Sequence, residues 1–309
     1  MAILIAAGLT CAGAKAKDGA MAEAHPHPDP VALMAREARV RLAPLTAHFA
    51  GVNVGEGKHL LRGNGILLNA PSGIRILYRK GEGVTVSRPE NADLAEESLW
   101  LNGTIYAAIA SINGLYPIHA SAVAADGRVF AFTGPGGAGK STLVAELGRR
   151  GLPMFCDDTL ILDISDPDRI MCLPGHKRLK LWPDALALTG AEQQEEIVRD
   201  WGKYYAAPPG GTVTEMLPLA ELCFLEEGEP PRFEEVSGGQ RLTRLMDDHY
   251  TADLYLEAQR PDAGARFQLL GQLARAMDMT RFVRPRDAAR FGETAALAES
   301  HVRNAAAQG

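Results

Sequence analysis

Between positions 30 and 115 the apolar residues change period. From Pro30 to Arg41 they recur at helical spacing, which predicts a short helix. His59 to Leu68, Ile74 to Tyr78 and Val84 to Val86 are short β-like runs, punctuated by Gly63-Asn64-Gly65, Ser72-Gly73 and Gly81-Glu82-Gly83. This spacing predicts a meander of antiparallel strands. Glu96 to Ile112 returns to a helical period, with Leu99, Leu101, Ile105, Ala108, Ile109 and Ile112 near one side. Glu96, Glu97, Asn102 and Asn113 bracket that helix closely, so its apolar content is packing material rather than a membrane span. Gly114 ends it.

Pro117 to Ala124 then reads as a strand, and Asp126-Gly127 as the hairpin turn into a second strand from Arg128 to Thr133. Leu143 to Arg150 reads as a helix with Leu143, Val144 and Leu147 on one face and Gly151 as its stop. Pro153 to Cys156 and Thr159 to Ile164 are apolar strand runs on either side of Asp157-Asp158. Further along, Leu217 to Leu225 and Arg281 to Val283 predict strands, the latter able to close the sheet. Gln240 to Asp247, Arg266 to Met277 and Asp287 to Val302 predict helices, with Asp287 capping the last. Trp201 to Pro209 predicts a loop that folds over a substrate. Together these elements predict an α/β fold. A P-loop kinase domain spans 116–309, a small α+β, β-rich domain spans 29–115, and 1–28 form a flexible tail.

The chemistry is concentrated between the second hairpin strand and the following helix. Gly134-Pro135-Gly136-Gly137-Ala138-Gly139-Lys140-Ser141-Thr142 matches the phosphate-binding pattern G-x-x-x-x-G-K-[ST]. Glycines let backbone amides turn inward, and those amides with the helix dipole hold a polyphosphate. The predicted nucleotide contacts are therefore Gly134, Gly136, Gly137, Ala138, Gly139, Lys140, Ser141 and Thr142. Lys140 would neutralise the β and γ phosphates of ATP, and the Ser141 hydroxyl would ligate Mg²⁺. One short helix and one strand fit between Lys140 and Asp157. That strand is therefore expected to run beside the P-loop strand and bring the Asp pair to the γ-phosphate. Two adjacent carboxylates there can split duties, one serving Mg²⁺ or its water and one accepting a hydroxyl proton. His119, near the end of a strand, is the third candidate.

Bulk composition narrows the setting more than the chemistry. Hydrophobic residues make up 46% of the 309 positions and charged residues 23%, ordinary for a soluble globular protein. A net charge of −6 argues against nonspecific nucleic-acid or membrane binding, both of which want a basic face. Cys11, Cys156, Cys172 and Cys223 are scattered, so reduced cytoplasmic thiols are the simplest expectation. Met1 to Leu9 is apolar but lacks a basic flank and is too short to span a bilayer. Oligomeric state is left open by the sequence, a homo-oligomer included.

From Ile118 to Asp158 the sequence resembles the HPr kinase/phosphorylase family, whose members place a His on the strand before a G-x-x-G-x-G-K-S loop and an Asp pair after the next strand. The resemblance implies a kinase that moves the γ-phosphate of ATP to a serine hydroxyl on a peptide or small protein. It implies Asp157 as proton acceptor, Asp158 as its partner on the metal side, and His119 as a phosphate-side contact. The family also carries a Glu in a downstream segment; the comparable stretch, Leu173 to Asp184, contains none. His119-Ala120-Ser121 before the loop and Leu181-Trp182-Pro183-Asp184 after it resemble divergent HPr-kinase-like proteins. Some of these phosphorylate a lasso-peptide precursor at its C-terminal serine. Lys177, Arg178 and Lys180 are expected either to meet a peptide carboxylate or phosphate or to form a solvated face. An ATP hydrolase or phosphorylase using the same residues, and a non-catalytic nucleotide sensor, are the competing expectations.

Overall fold

Asp29 opens the first helix, α1 (Pro30–Glu37), because its carboxylate accepts the Ala32 amide at 2.9 Å and proline suits the first turn. The computed structural model describes residues 29–246 and 250–308. The expected tail over 1–28, with Cys11, lies outside the described residues.

Helix α1 is shorter than its apolar spacing predicts. Val40 to Leu42 form strand β1, in parallel register with Val84 to Val86, so pairing wins over helical period there. A small hairpin, β2 (His48–Phe49) and β3 (Val52–Asn53), leads into β4 (Lys58–Arg62), β5 (Gly65–Asn69), β6 (Arg75–Arg79) and β7 (Gly83–Ser87). These last four form the predicted antiparallel meander, and with β1 parallel to β7 they make a five-stranded sheet ordered β1-β7-β6-β5-β4.

Helices α2 (Leu94–Trp100) and α3 (Tyr106–Ile112) are joined by a π turn at Leu101–Ile105, and together they occupy the predicted long helix. Ile105, Ile109 and Ile112 pack with Ile66, Ile76 and Val84 of the sheet and Met34 of α1. Inside this core, Tyr78 donates its hydroxyl to Glu37 at 2.9 Å and accepts from Asn113 at 2.8 Å, so its buried oxygen is satisfied. The same apolar cluster includes Ile161, Leu173 and Leu254. Packing therefore continues past Leu115, where the sequence places its domain boundary.

The larger sheet is built around β8 (Tyr116–Ile118), β9 (Ala120–Ala125), β10 (Arg128–Thr133), β11 (Met154–Cys156), β12 (Leu160–Asp163) and β13 (Met171–Leu173). Between β10 and β11 runs α4 (Lys140–Arg149). After β13 come β14 (Leu179–Leu181), α5 (Pro183–Thr189), β15 (Gln193–Glu196) and β16 (Tyr204–Ala206). These three strands form a separate small sheet ordered β14-β16-β15. The segment predicted as a loop over 201–209 is thus partly strand, held by the Leu181↔Tyr204 and Lys180↔Tyr205 pairs. The long β17 (Leu217–Glu227) returns to the large sheet, parallel to β10. It is followed by β18 (Arg232–Glu235), α6 (Gly239–Met246), α7 (Tyr250–Gln259), α8 (Ala263–Ala276), β19 (Asp278–Arg284) and α9 (Phe291–Gln308). Strand β19 pairs parallel to β17, as the predicted sheet-closing strand requires.

One expectation is corrected. Strand β11 does not lie beside the P-loop strand β10; β9 separates them, in the order β11-β9-β10-β17. The cause is the tight β9–β10 hairpin, whose turn residues Asp126 and Gly127 both take positive φ and hold β9 against that edge of β10.

Alternation along β10 sends Val129 and Ala131 into one core and Phe130 and Phe132 into the other. On the Phe132 face, Leu143, Val144 and Leu147 of α4 pack with Ala295, Ala298 and Val302 of α9. On the opposite face, Leu245 of α6 and Leu270 and Leu273 of α8 close the sheet. Both faces are covered, which is why these strands read as continuous apolar runs. Among the described residues no helix is long and apolar enough to cross a membrane.

The last turn of α4 leans on the chain through glycine alone. A Cβ on Gly210 would lie 2.3 Å from the Gly148 carbonyl oxygen and 2.8 Å from its Cα. Neither backbone can yield cheaply. Gly210→Ala is expected to destabilise the fold by about 1–3 kcal/mol, the cost of overpacking. Chemical denaturation checks this, and an unchanged midpoint would show that the contact is not tight in solution.

Candidate active site

A cleft of about 770 Å³ opens along the P-loop and is lined on its far side by β14, α5 and the chain after β19. Gly139 precedes α4 with φ +84°, and a Cβ there would meet the Arg284 guanidinium at 2.8 Å. The left-handed φ favours glycine, and a side chain there would also displace the arginine. The turn it makes aims the unpaired first amides of α4 at the cleft.

Lys140 is buried, and its ammonium donates to the Gly134 carbonyl at 2.7 Å and the Pro135 carbonyl at 3.2 Å. Burial pushes it down to about 8, against the opposing pull of Asp157 and Asp158. Arg284 and Arg286, from the end of β19 and the residues beyond it, donate to the carbonyls of Ala138 at 2.7 Å and Gly137 at 2.8 Å. Arg284 is buried, and its Nε has no partner. A buried guanidinium N–H left open beside a phosphate loop fits an anionic ligand.

The Asp pair sits directly after β11. Asp157 is 2% exposed and both its oxygens are engaged. One accepts from Ser121 at 2.6 Å and from the P-loop Ser141 at 2.8 Å; the other accepts the Lys180 amide at 2.8 Å. Strand pairing explains the first contact, since Cys156 lies opposite Ala122 and carries Asp157 to the neighbouring Ser121.

Asp158 turns the other way. Its backbone has φ +73°, and the Thr159 amide bonds back to the Asp157 carbonyl at 2.9 Å, closing a three-residue turn. Such a turn is strained for a non-glycine residue, and strain of this kind collects at functional sites. It aims the Asp158 carboxylate into the cleft, where the Lys180 ammonium meets it at 2.7 Å. Burial opposes the charge, but Lys180 and then His119 outweigh it and hold the carboxyl down at about 2. His119 lines the same cleft. Its Nδ1 donates to the Asp158 carbonyl at 2.9 Å, and burial together with the Lys140 charge lowers its tendency to protonate.

The predicted residues therefore converge, and the two carboxylates differ in their surroundings. Asp157, expected to take the hydroxyl proton, is buried and turned onto Ser141. Asp158, expected on the metal side, faces the open cleft. Which of the two faces the cleft depends on the positive φ at Asp158, invisible in a one-dimensional pattern.

Among the described residues, no group of three or more His, Cys, Asp and Glu side chains is arranged to hold a metal ion. Mg²⁺ is commonly held by one or two carboxylates together with substrate phosphates. Ser141 and Asp157, in contact beside the loop, fit that donor set.

Sequence reasoning missed Arg284 and Arg286 and left Lys180 undecided. Lys180 is 6% exposed rather than on a solvated face. Arg178 stacks on the Tyr205 ring at 3.8 Å, and Lys177 donates to the Phe155 carbonyl at 2.6 Å.

No family model matches the chain, and no curated protein matches it. Among solved structures it is similar to the Hpr(Ser) kinase/phosphatase from Coxiella burnetii, with 13% identity and a TM-score of 0.33, over 61% of this chain and 88% of that one.

Proposed function

We propose that the chain is an ATP-dependent kinase that transfers the γ-phosphate to a hydroxyl group of a peptide or small protein, with serine the expected acceptor residue. The observation that carries this reading is the meeting of Lys140, Ser141 and Asp158 along one cleft at the P-loop, with buried Asp157 bonded to Ser141 behind it. Phosphoryl transfer asks the protein mainly for positioning and charge neutralisation. The loop amides and Lys140 would cradle the nucleotide phosphates, with Arg284 and Arg286 beside them. Ser141 and Asp157 would hold Mg²⁺, which when bound neutralises phosphate charge. Asp158, open to the cleft, would orient the acceptor hydroxyl and take its proton, and His119 would fix the Asp158 turn. This exchanges the two carboxylate roles expected from the family resemblance.

The acceptor is a peptide or protein rather than nucleic acid or membrane lipid, in keeping with the net charge of −6. A lasso-peptide precursor with a C-terminal serine is the first candidate to try. The three described cysteines are buried free thiols, which suits a reducing, cytoplasmic setting.

ATP turnover alone is expected to be slow and to accelerate with a serine peptide, with mass spectrometry detecting the phosphopeptide. Fast phosphate release independent of acceptor would establish the hydrolase reading instead. ATP binding without turnover across a broad peptide set would establish a nucleotide sensor.

A further inference from the structure

Three lysines approach the two carboxylates, and they are not equivalent. Lys140 is bonded to loop carbonyls, and Lys180 is paired with Asp158. Lys203 also lines the cleft, yet among the described residues its ammonium has no hydrogen-bond or ion-pair partner. It is held instead over the Trp182 ring, 5.7 Å from the centroid. Trp201 packs edge-on against Trp182 at 6.3 Å and buttresses it.

The small sheet explains why this cation is aimed at the site. In the antiparallel β14–β16 ladder, Lys180 lies opposite Tyr205 and Leu181 opposite Tyr204. One step beyond the last pair come Trp182 and Lys203, whose side chains meet. Cross-strand neighbours share a face, and so do alternate residues of one strand. Lys180, Trp182 and Lys203 therefore all face the cleft on the side of Asp158. The Ile197 amide bonds to the Lys203 carbonyl at 2.8 Å, which anchors the backbone from which the side chain extends.

Resting on the kinase reading above, we propose that Lys203 is a further catalytic residue, the acceptor-side cation that meets the phosphoryl group during transfer. In that step the acceptor hydroxyl oxygen forms a bond to the γ-phosphorus of the nucleoside triphosphate. The bond from that phosphorus to the β–γ bridging oxygen breaks, and its electron pair leaves with the nucleoside diphosphate. The hydroxyl proton passes to Asp158. Negative charge spreads over the three equatorial oxygens as the group moves away from Lys140. Arg284 and Arg286 stand at the P-loop carbonyls and Lys180 is paired with Asp158, so Lys203 is the lysine of this wall positioned to meet that charge from the acceptor side. A group positioned for the transition state, rather than for bound ATP, contributes to rate rather than to affinity.

The test uses the full chain with Mg²⁺ and two probes, ATP alone and ADP with aluminium fluoride, a mimic of the transferring group that needs no acceptor. Lys203→Met keeps the stem over Trp182, and because the ammonium has no protein partner its removal leaves nothing unpaired. Lys203→Met is expected to bind ATP within about twofold of wild type and the fluoroaluminate complex about 10²-fold more weakly, the usual loss for one preorganised charge donor. Lys203→Arg is expected to recover most of that loss. Equal affinity of Lys203→Met and wild type for the fluoroaluminate complex overturns the proposal. So does an equal loss for both probes, which would make Lys203 a ground-state contact. A wild-type protein that binds neither probe fails the kinase reading itself, and this proposal with it.

Discussion

Asp158→Asn is expected to bind ATP with Mg²⁺ normally and to lose phosphotransfer by about 10²–10⁴-fold, the range for removing a general base. The substitution is nearly isosteric and keeps the left-handed backbone, which Asn tolerates as well as Asp. It removes the negative charge that Lys180 pairs with at 2.7 Å and the one acceptor of the Asp pair that opens to the cleft. Asp157→Asn should behave differently. Its carboxylate takes donors from Ser121, Ser141 and the Lys180 amide, and an amide nitrogen in that pocket would face a donor with a donor. A raised Mg²⁺ requirement is the expected signature, with the bound acceptor still phosphorylated at saturating metal. Parallel titrations of ATP and Mg²⁺ on both variants, with a confirmed acceptor, decide the matter. The reverse pattern, with Asp157→Asn binding metal and nucleotide normally yet inactive, would restore the roles implied by the family resemblance.

Lys140→Met is expected to abolish measurable transfer and to weaken ATP binding by about 10- to 100-fold, the worth of a charged hydrogen bond of roughly 1.5–3 kcal/mol. Methionine keeps the buried stem, so the fold should survive. The wild type should also show a pH signature. Burial holds the free Lys140 ammonium at about 8, so above that pH the nucleotide-free loop has given up the proton that phosphate binding requires. ATP affinity is accordingly expected to fall as pH rises past that value, and the Met variant should lack this dependence. Calorimetry at several pH values measures both. Unchanged ATP affinity in Lys140→Met would remove the loop from the mechanism.

What the chain determines by itself is whatever depends on neighbours in sequence. The P-loop is legible because glycines, lysine and serine must sit at fixed offsets between a strand and a helix start. The Asp126-Gly127 turn and the apolar runs around it are legible for the same local reason. Local pattern also set Asp157 and Asp158 one short helix and one strand beyond the loop. Everything that depends on which strands pair was decided only by the tertiary structure. The hairpin placed β9 between the two strands expected to be neighbours, and a positive φ at Asp158 chose which carboxylate faces the cleft. Register between β14 and β16 brought Lys203 to Trp182, turning a stretch that reads as loop into part of the site wall. Arg284 and Arg286 reach the P-loop carbonyls because β19 runs parallel to β17, which runs parallel to β10. A cation gains its role from the charge it ends up facing, and that partner lies far away along the chain.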